Sequence, residues 1–108
     1  NYLDIKIKNT MHRILFDNIC YMESKGRKVN IVTTGKSYET YAKLSQLKEM
    51  IYSDGFICCH KSFMVNLNLV TQINRTSFVI NHNHVIPISR ACYDSAKTAF
   101  INFIGRKN

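Results

Sequence analysis

Phe56-Ile57-Cys58-Cys59-His60-Lys61-Ser62-Phe63-Met64-Val65-Asn66-Leu67-Asn68-Leu69-Val70 is the stretch on which the fold turns. Residues 56–59 read as a compact apolar strand and residues 62–65 as another, with His60 and Lys61 left in the polar break between them. Asn66-Leu67-Asn68 supplies side-chain caps of the kind that suit a tight turn or a single helical turn. Downstream, residues 70–73 and 78–80 flank a polar turn as a hairpin, and Asn81-His82-Asn83-His84 forms a second tight turn into Val85-Ile86. Pro87 lacks the N–H that a ladder needs and marks a strand end.

Upstream, Leu44, Leu47, Met50 and Ile51 recur at three- and four-residue spacing, the pattern of a short amphipathic helix ending at Asp54-Gly55. Before it, Leu3, Ile5 and Ile7 alternate with Asp4, Lys6 and Lys8 as a half-buried strand does. His12 to Phe16 extends again, Asp17-Asn18 turns, and Ile19 to Met22 follows. A basic hairpin loop, Ser24-Lys25-Gly26-Arg27-Lys28, leads into alternating Val29, Ile31 and Thr33, and Gly35 turns the chain before residues 37–41. The first forty residues thus read as one antiparallel meander. At the other end, Cys92, Ala96, Ala99, Phe100 and Phe103 fall at helical spacing, with Ser89 as N-cap and Gly105 as stop. The expectation is a mainly all-β fold with one short amphipathic helix and a C-terminal helix, in a single domain over residues 1–108.

The 108 residues are 45% hydrophobic with one proline and four glycines, enough to bury a core, which excludes disorder, collagen and low-complexity linker. No run approaches the ~20 apolar residues of a membrane span, and no export signal opens the chain, so no membrane partner is expected. Cys20, Cys58, Cys59 and Cys92 include adjacent neighbours and no CxxC, which points to reduced thiols and a cytoplasmic protein. A chain opening on Asn1 is expected to be part of a longer one.

Fifteen Lys and Arg against seven Asp and Glu leave a formal charge of +8. Between Gly55 and Tyr93 there is no acidic residue at all, while Lys61, Arg75 and Arg90 sit in turns and segment ends. Such a balance suits a polyanion partner, and cations on loops with amide and imidazole neighbours can meet both phosphates and base edges. Composition leaves that reading level with an ordinary solvated surface.

The quoted stretch, followed by Ile86-Pro87-Ile88-Ser89-Arg90, resembles the LytTR family of bacterial DNA-binding domains. Ile19-Cys20-Tyr21-Met22-Glu23-Ser24, the Gly35 turn with Tyr38, and Leu44 and Leu47 also fall where that family has them, so the resemblance spans nearly the whole chain. It implies an elongated arrangement of three short antiparallel sheets with little helix. It also implies the output domain of a response regulator of a two-component system, attached to an upstream receiver or sensor domain. Such domains bind double-stranded DNA through loops at one edge, typically as two copies on imperfect repeats. Transferred by position, the contacts fall on Arg27 or Lys28 in the hairpin, on His60 and Lys61, and on Arg90. Arg90 has the planar donor fork that suits guanine O6 and N7, and His60 can donate or accept at a base edge. Lys61 and the hairpin cations suit phosphates. Asn66 and Ser89 read as structural caps, and Tyr38 and Tyr41 as packing.

Other classes fit less well. Cys58 and Cys59 would point to opposite faces of a strand and cannot chelate together, so no metal, cofactor or catalytic site is expected. His60 and Ser62 lack a nucleophile elbow and a carboxylate partner. RNA or single-strand binding needs exposed aromatics, whereas Phe16, Phe56, Phe63, Phe78 and Phe100 lie in apolar runs and read as core. A protein-interaction module with an open β edge would explain the fold but not the charge.

Overall fold

The computed structural model describes residues 1–53, 55–81 and 84–107. The turn residues His82 and Asn83 and the helix-ending Asp54 lie outside them. β1 (Tyr2–Ile7) pairs with β2 (Thr10–Leu15) as an isolated two-stranded sheet, with Leu3 opposite Ile14 and Ile5 opposite His12. The alternation read from the sequence buries Leu3 and Ile5 on its inner face. Arg13 and Asp4, also register partners, form a two-pronged ion pair at 2.9 and 3.2 Å on its outer face.

A 3₁₀ turn at Phe16–Asn18 then carries the chain into a second sheet. Here β3 (Ile19–Lys25), β4 (Lys28–Thr33) and β5 (Ser37–Tyr41) form a meander, and β7 (Phe63–Asn66) and β6 (Phe56–His60) extend it beyond β3, giving the order β5-β4-β3-β7-β6. The single meander expected over the first forty residues is therefore two units. Phe16 buries its ring and its N–H bonds Asn1 O at 3.0 Å, so the first sheet closes on itself and β2 never meets β3. The third sheet is β10-β9-β8, from β8 (Val70–Ile73), β9 (Ser77–Ile80) and β10 (His84–Pro87).

The five-stranded sheet is a middle layer with a core on each side. Met22, Val29, Ile31, Phe56 and Met64 pack with the first sheet and with Leu44, Leu47 and Ile51 of the helical segment. Cys20, Cys59 and Val65 pack with Phe78, Ile80 and Ile86 of the third sheet and with Ala96 and Phe100. Burial on both faces is why residues 19–22 show a continuous apolar run instead of alternation, whereas in residues 56–59 Phe56 and Cys59 are buried and Cys58 is exposed. The three layers give an elongated molecule of 40 × 29 × 25 Å.

α1 (Leu44–Met50) starts where Gln46 Oε1 accepts the Lys43 N–H at 2.8 Å, and it ends at Ile51, earlier than expected, because Ile51 turns into the core. α2 (Tyr93–Lys107) follows a 3₁₀ turn at Arg90–Cys92. Gly105 does not stop it. A glycine ends a helix when it adopts the left-handed conformation, and Gly105 is not among the residues that do. Asn66 is the internal staple: Nδ2 donates to Ile19 O at 2.9 Å and Oδ1 accepts the Asn68 N–H at 3.0 Å, capping the 3₁₀ turn Leu67–Leu69.

Candidate nucleic-acid interface

Two long-range backbone bonds gather the predicted residues. Ser24 N donates to Ser62 O at 2.8 Å, which ties the β3–β4 hairpin to the β6–β7 turn. Ser89 N donates to Cys59 O at 2.9 Å, which sets the start of the Arg90–Cys92 turn alongside the end of β6. Arg27 and Lys61 consequently line one cleft of about 510 Å³, and His60 and Lys61 line the adjoining one. Arg27, Lys61 and Arg90 are exposed and make no ion pair among the described residues.

The hairpin is built for projection. Lys25 pairs with Lys28, leaving Gly26-Arg27 as a two-residue turn with Gly26 at φ +60°, a conformation in which a side chain would be strained. The two cations that the sequence left undivided differ. Lys28 is half-buried, its Nζ 3.6 Å from Glu39 and 4.9 Å from the centre of the Tyr41 ring, whereas Arg27 points from the tip. Tyr41 is thus not packing residue but an exposed one, at 76%, at the outer end of β5. Tyr38 does pack, against the first core.

His60 sits at a bulge: Cys58 pairs with Met64, but the next pair is His60 with Phe63, so Cys59 is the extra residue. Nδ1 accepts the Ser62 N–H at 3.0 Å and the ring meets Phe63 edge-on at 5.5 Å. The accepted bond leaves the neutral ring's proton on Nε2, as a donor. His60 is therefore both the backbone-bonded histidine of a strand end and a positioned donor. Phe63, expected in the core, is only half-buried. Ser89 occupies the cap position, yet its side chain makes no capping bond and its backbone does the work instead.

Cys58 is exposed and Cys59 buried, on opposite faces as expected. Burial pushes the Cys59 thiol up to about 12, its Sγ donating to Pro87 O at 3.5 Å, and raises Cys20 and Cys58 as well. Lys43 was missed by the sequence reading. It lines the Arg27–Lys61 cleft, and its place just ahead of α1 was the available signal. Arg75, read as one of the loop cations, lies 5.3 Å from the Tyr93 ring.

A basic β domain with Arg27, Lys61 and Arg90 exposed on turns tied together by backbone bonds is the class of protein these features define. The family model described as the LytTr DNA-binding domain matches residues 9–101, and the chain belongs to that family. It is 33% identical over 66 residues to the transcriptional regulatory protein NatR of Bacillus subtilis (strain 168), a match covering 61% of this chain and 28% of NatR. The fold is similar to that of the LytTr DNA-binding domain of a putative methyl-accepting/DNA response regulator from Bacillus cereus. That structure superposes with a TM-score of 0.74 at 22% identity, covering 93% of this chain and 95% of the other. No helix among the described residues is long and apolar enough to cross a membrane.

Proposed function

We propose that this domain binds double-stranded DNA sequence-specifically through the turns at one edge of the middle sheet, as the output domain of a cytoplasmic response regulator of a two-component system. The observation that carries the reading is the pair of backbone bonds, Ser24 to Ser62 and Ser89 to Cys59, that draws three turns far apart in sequence together. Arg90 and His60 then face base edges, the guanidinium as a fork for guanine and the Nε2–H as a single donor to an acceptor such as a purine N7. Lys61 and Arg27 meet phosphates, with Lys28 a weaker contributor because Glu39 already neutralises it. The domain needs no cofactor or catalytic step. It works within a longer chain that carries a receiver or sensor domain, and two copies occupy imperfect repeats.

Selection of bound duplexes from a randomised pool tests this directly. An enriched motif, repeated at whole helical turns, is expected. Arg90→Ala should relax selection at one position of that motif at a cost of ~1–3 kcal/mol in discrimination. Equal weakening on motif and random duplex would remove Arg90 from base recognition, and retention without any motif would leave a nonspecific polyanion binder.

A further inference from the structure

An open groove of about 780 Å³ lies between the end of β1 and the edge strand β5, running from Lys28 of the hairpin towards Lys36. Lys6, Lys8, Lys28 and Lys36 line it with His12, against the single carboxylate of Glu39. Thr40 Oγ1 donates to Lys6 O at 3.2 Å and fixes the end of β1 beside β5. The Lys36 ammonium lies over the Tyr38 ring, 4.8 Å from its centre, which holds that charge on the wall of the groove. Lys8 occupies the β1–β2 turn at φ 56°, a left-handed position that glycine or asparagine takes more readily, and the turn thereby holds a cation at the groove's lip.

Lys28 pairs with Tyr41 at the hairpin end of β5, and Lys36 precedes the opposite end, so the groove leads away from the hairpin. The five residues of β5, four intervals of ~3.3 Å, run for about 13 Å beside it, close to four base-pair steps of duplex at ~3.4 Å.

We infer that this groove is a second track for the DNA backbone, taking phosphates that flank the sequence met by the turn cluster. The inference rests on the duplex-DNA reading of that cluster. Continuity through Lys28 favours DNA over a separate acidic protein segment.

The test uses the triple variant Lys6→Gln, Lys8→Gln, Lys36→Gln, three exposed positions whose change leaves both cores intact, with folding checked by circular dichroism. Affinity is measured against salt on two duplexes from the randomised selection: the bare motif, and the motif with ten flanking base pairs on each side. On the longer duplex the variant's log–log salt slope should fall by about 2 to 3, since each lost phosphate contact removes ~0.9. On the bare motif the two proteins should coincide. Unchanged slopes on the long duplex, or equal loss on both lengths, would overturn the flanking track. Unchanged DNA slopes with tight binding of poly-glutamate by the wild type alone would give the groove to an acidic segment and overturn it too. Failure of the wild type to bind either duplex would instead strike the reading of the turn cluster.

Discussion

Asn66→Ala should destabilise the domain by about 2–5 kcal/mol while leaving DNA specificity unchanged. Asn66 is 3% exposed and its amide makes two bonds, to Ile19 O at 2.9 Å and from the Asn68 N–H at 3.0 Å. Alanine abandons the buried Ile19 carbonyl, at ~1–3 kcal/mol, and removes the cap from the part-buried Asn68 N–H, at ~0.5–2 kcal/mol. The carbonyl bond also spans 47 residues and joins the end of β7 to the start of β3, so its loss is not a local fraying. A domain of this size has ~5–15 kcal/mol in total, and the melting temperature should drop by an amount on the order of 10–20 °C. Urea titration followed by fluorescence or circular dichroism measures the change, with the slope against denaturant expected to hold. Below the new transition, the ratio of affinities for motif and random duplex should match wild type. A loss under ~1 kcal/mol would refute the bookkeeping, and a collapsed affinity ratio at preserved stability would make Asn66 a base contact.

Lys8→Gly should raise stability by about 1 kcal/mol, because the exposed turn residue at φ 56° is strained by its Cβ; a lower melting temperature would refute the strain. Stability should decline above pH 9, since the Cys59 thiol ionises near its ordinary value of 9.0 when unfolded but at about 12 when buried in the fold. The folded state then holds a proton the unfolded chain has released, and this contribution, full below pH 9, is lost progressively towards pH 12 at up to ~1.4 kcal/mol per unit. Cys59→Ala should flatten that alkaline limb relative to wild type, and superimposable limbs would sink the assignment.

The strands were legible because each carries a local signal. Leu3, Ile5 and Ile7 alternate, and the runs at 19–22 and 56–59 are short, apolar and bounded by turns. Their arrangement was less so. Nothing local distinguishes β2, which stops at its own sheet, from β4, which continues one, since the difference lies in a bond from Phe16 N back to Asn1 O. Gly105 misled because its identity signals a stop only when the backbone turns left-handed. The proposed contact positions were all readable as turn cations, but not their differences. Lys28 is drawn aside by Glu39, diagonal to it across the β4–β5 pairing, and Tyr41 is exposed because it closes an edge strand. Lys43 went unread because periodicity assigns helix faces and says nothing of the residue before the first turn.

In the DNA-binding reading, the bulge in β6 is what makes His60 useful. Had the register of Cys58 with Met64 simply continued, Cys59 would take Phe63 and His60 would fall into the turn with no ring to hold it. One extra residue places His60 against Phe63 instead, a re-aiming that bulges commonly produce. The Ser62 N–H then fixes Nδ1, so both the orientation of the ring and the atom that carries its proton are set before any duplex arrives. Arg90 gains similar support from the Ser89 backbone, because Pro87 ends the β10 ladder and the chain reattaches at Cys59 O before the guanidinium leaves the surface. The His60 ring, held in advance by Ser62 and Phe63, gives up less conformational freedom on binding, part of the ~0.5–1.5 kcal/mol that immobilising a side chain costs. The cations on turns thus need not be rigid themselves. The backbone beneath them is tied by the Ser24–Ser62 and Ser89–Cys59 bonds, which in this reading is what presents His60 and Arg90 to one duplex.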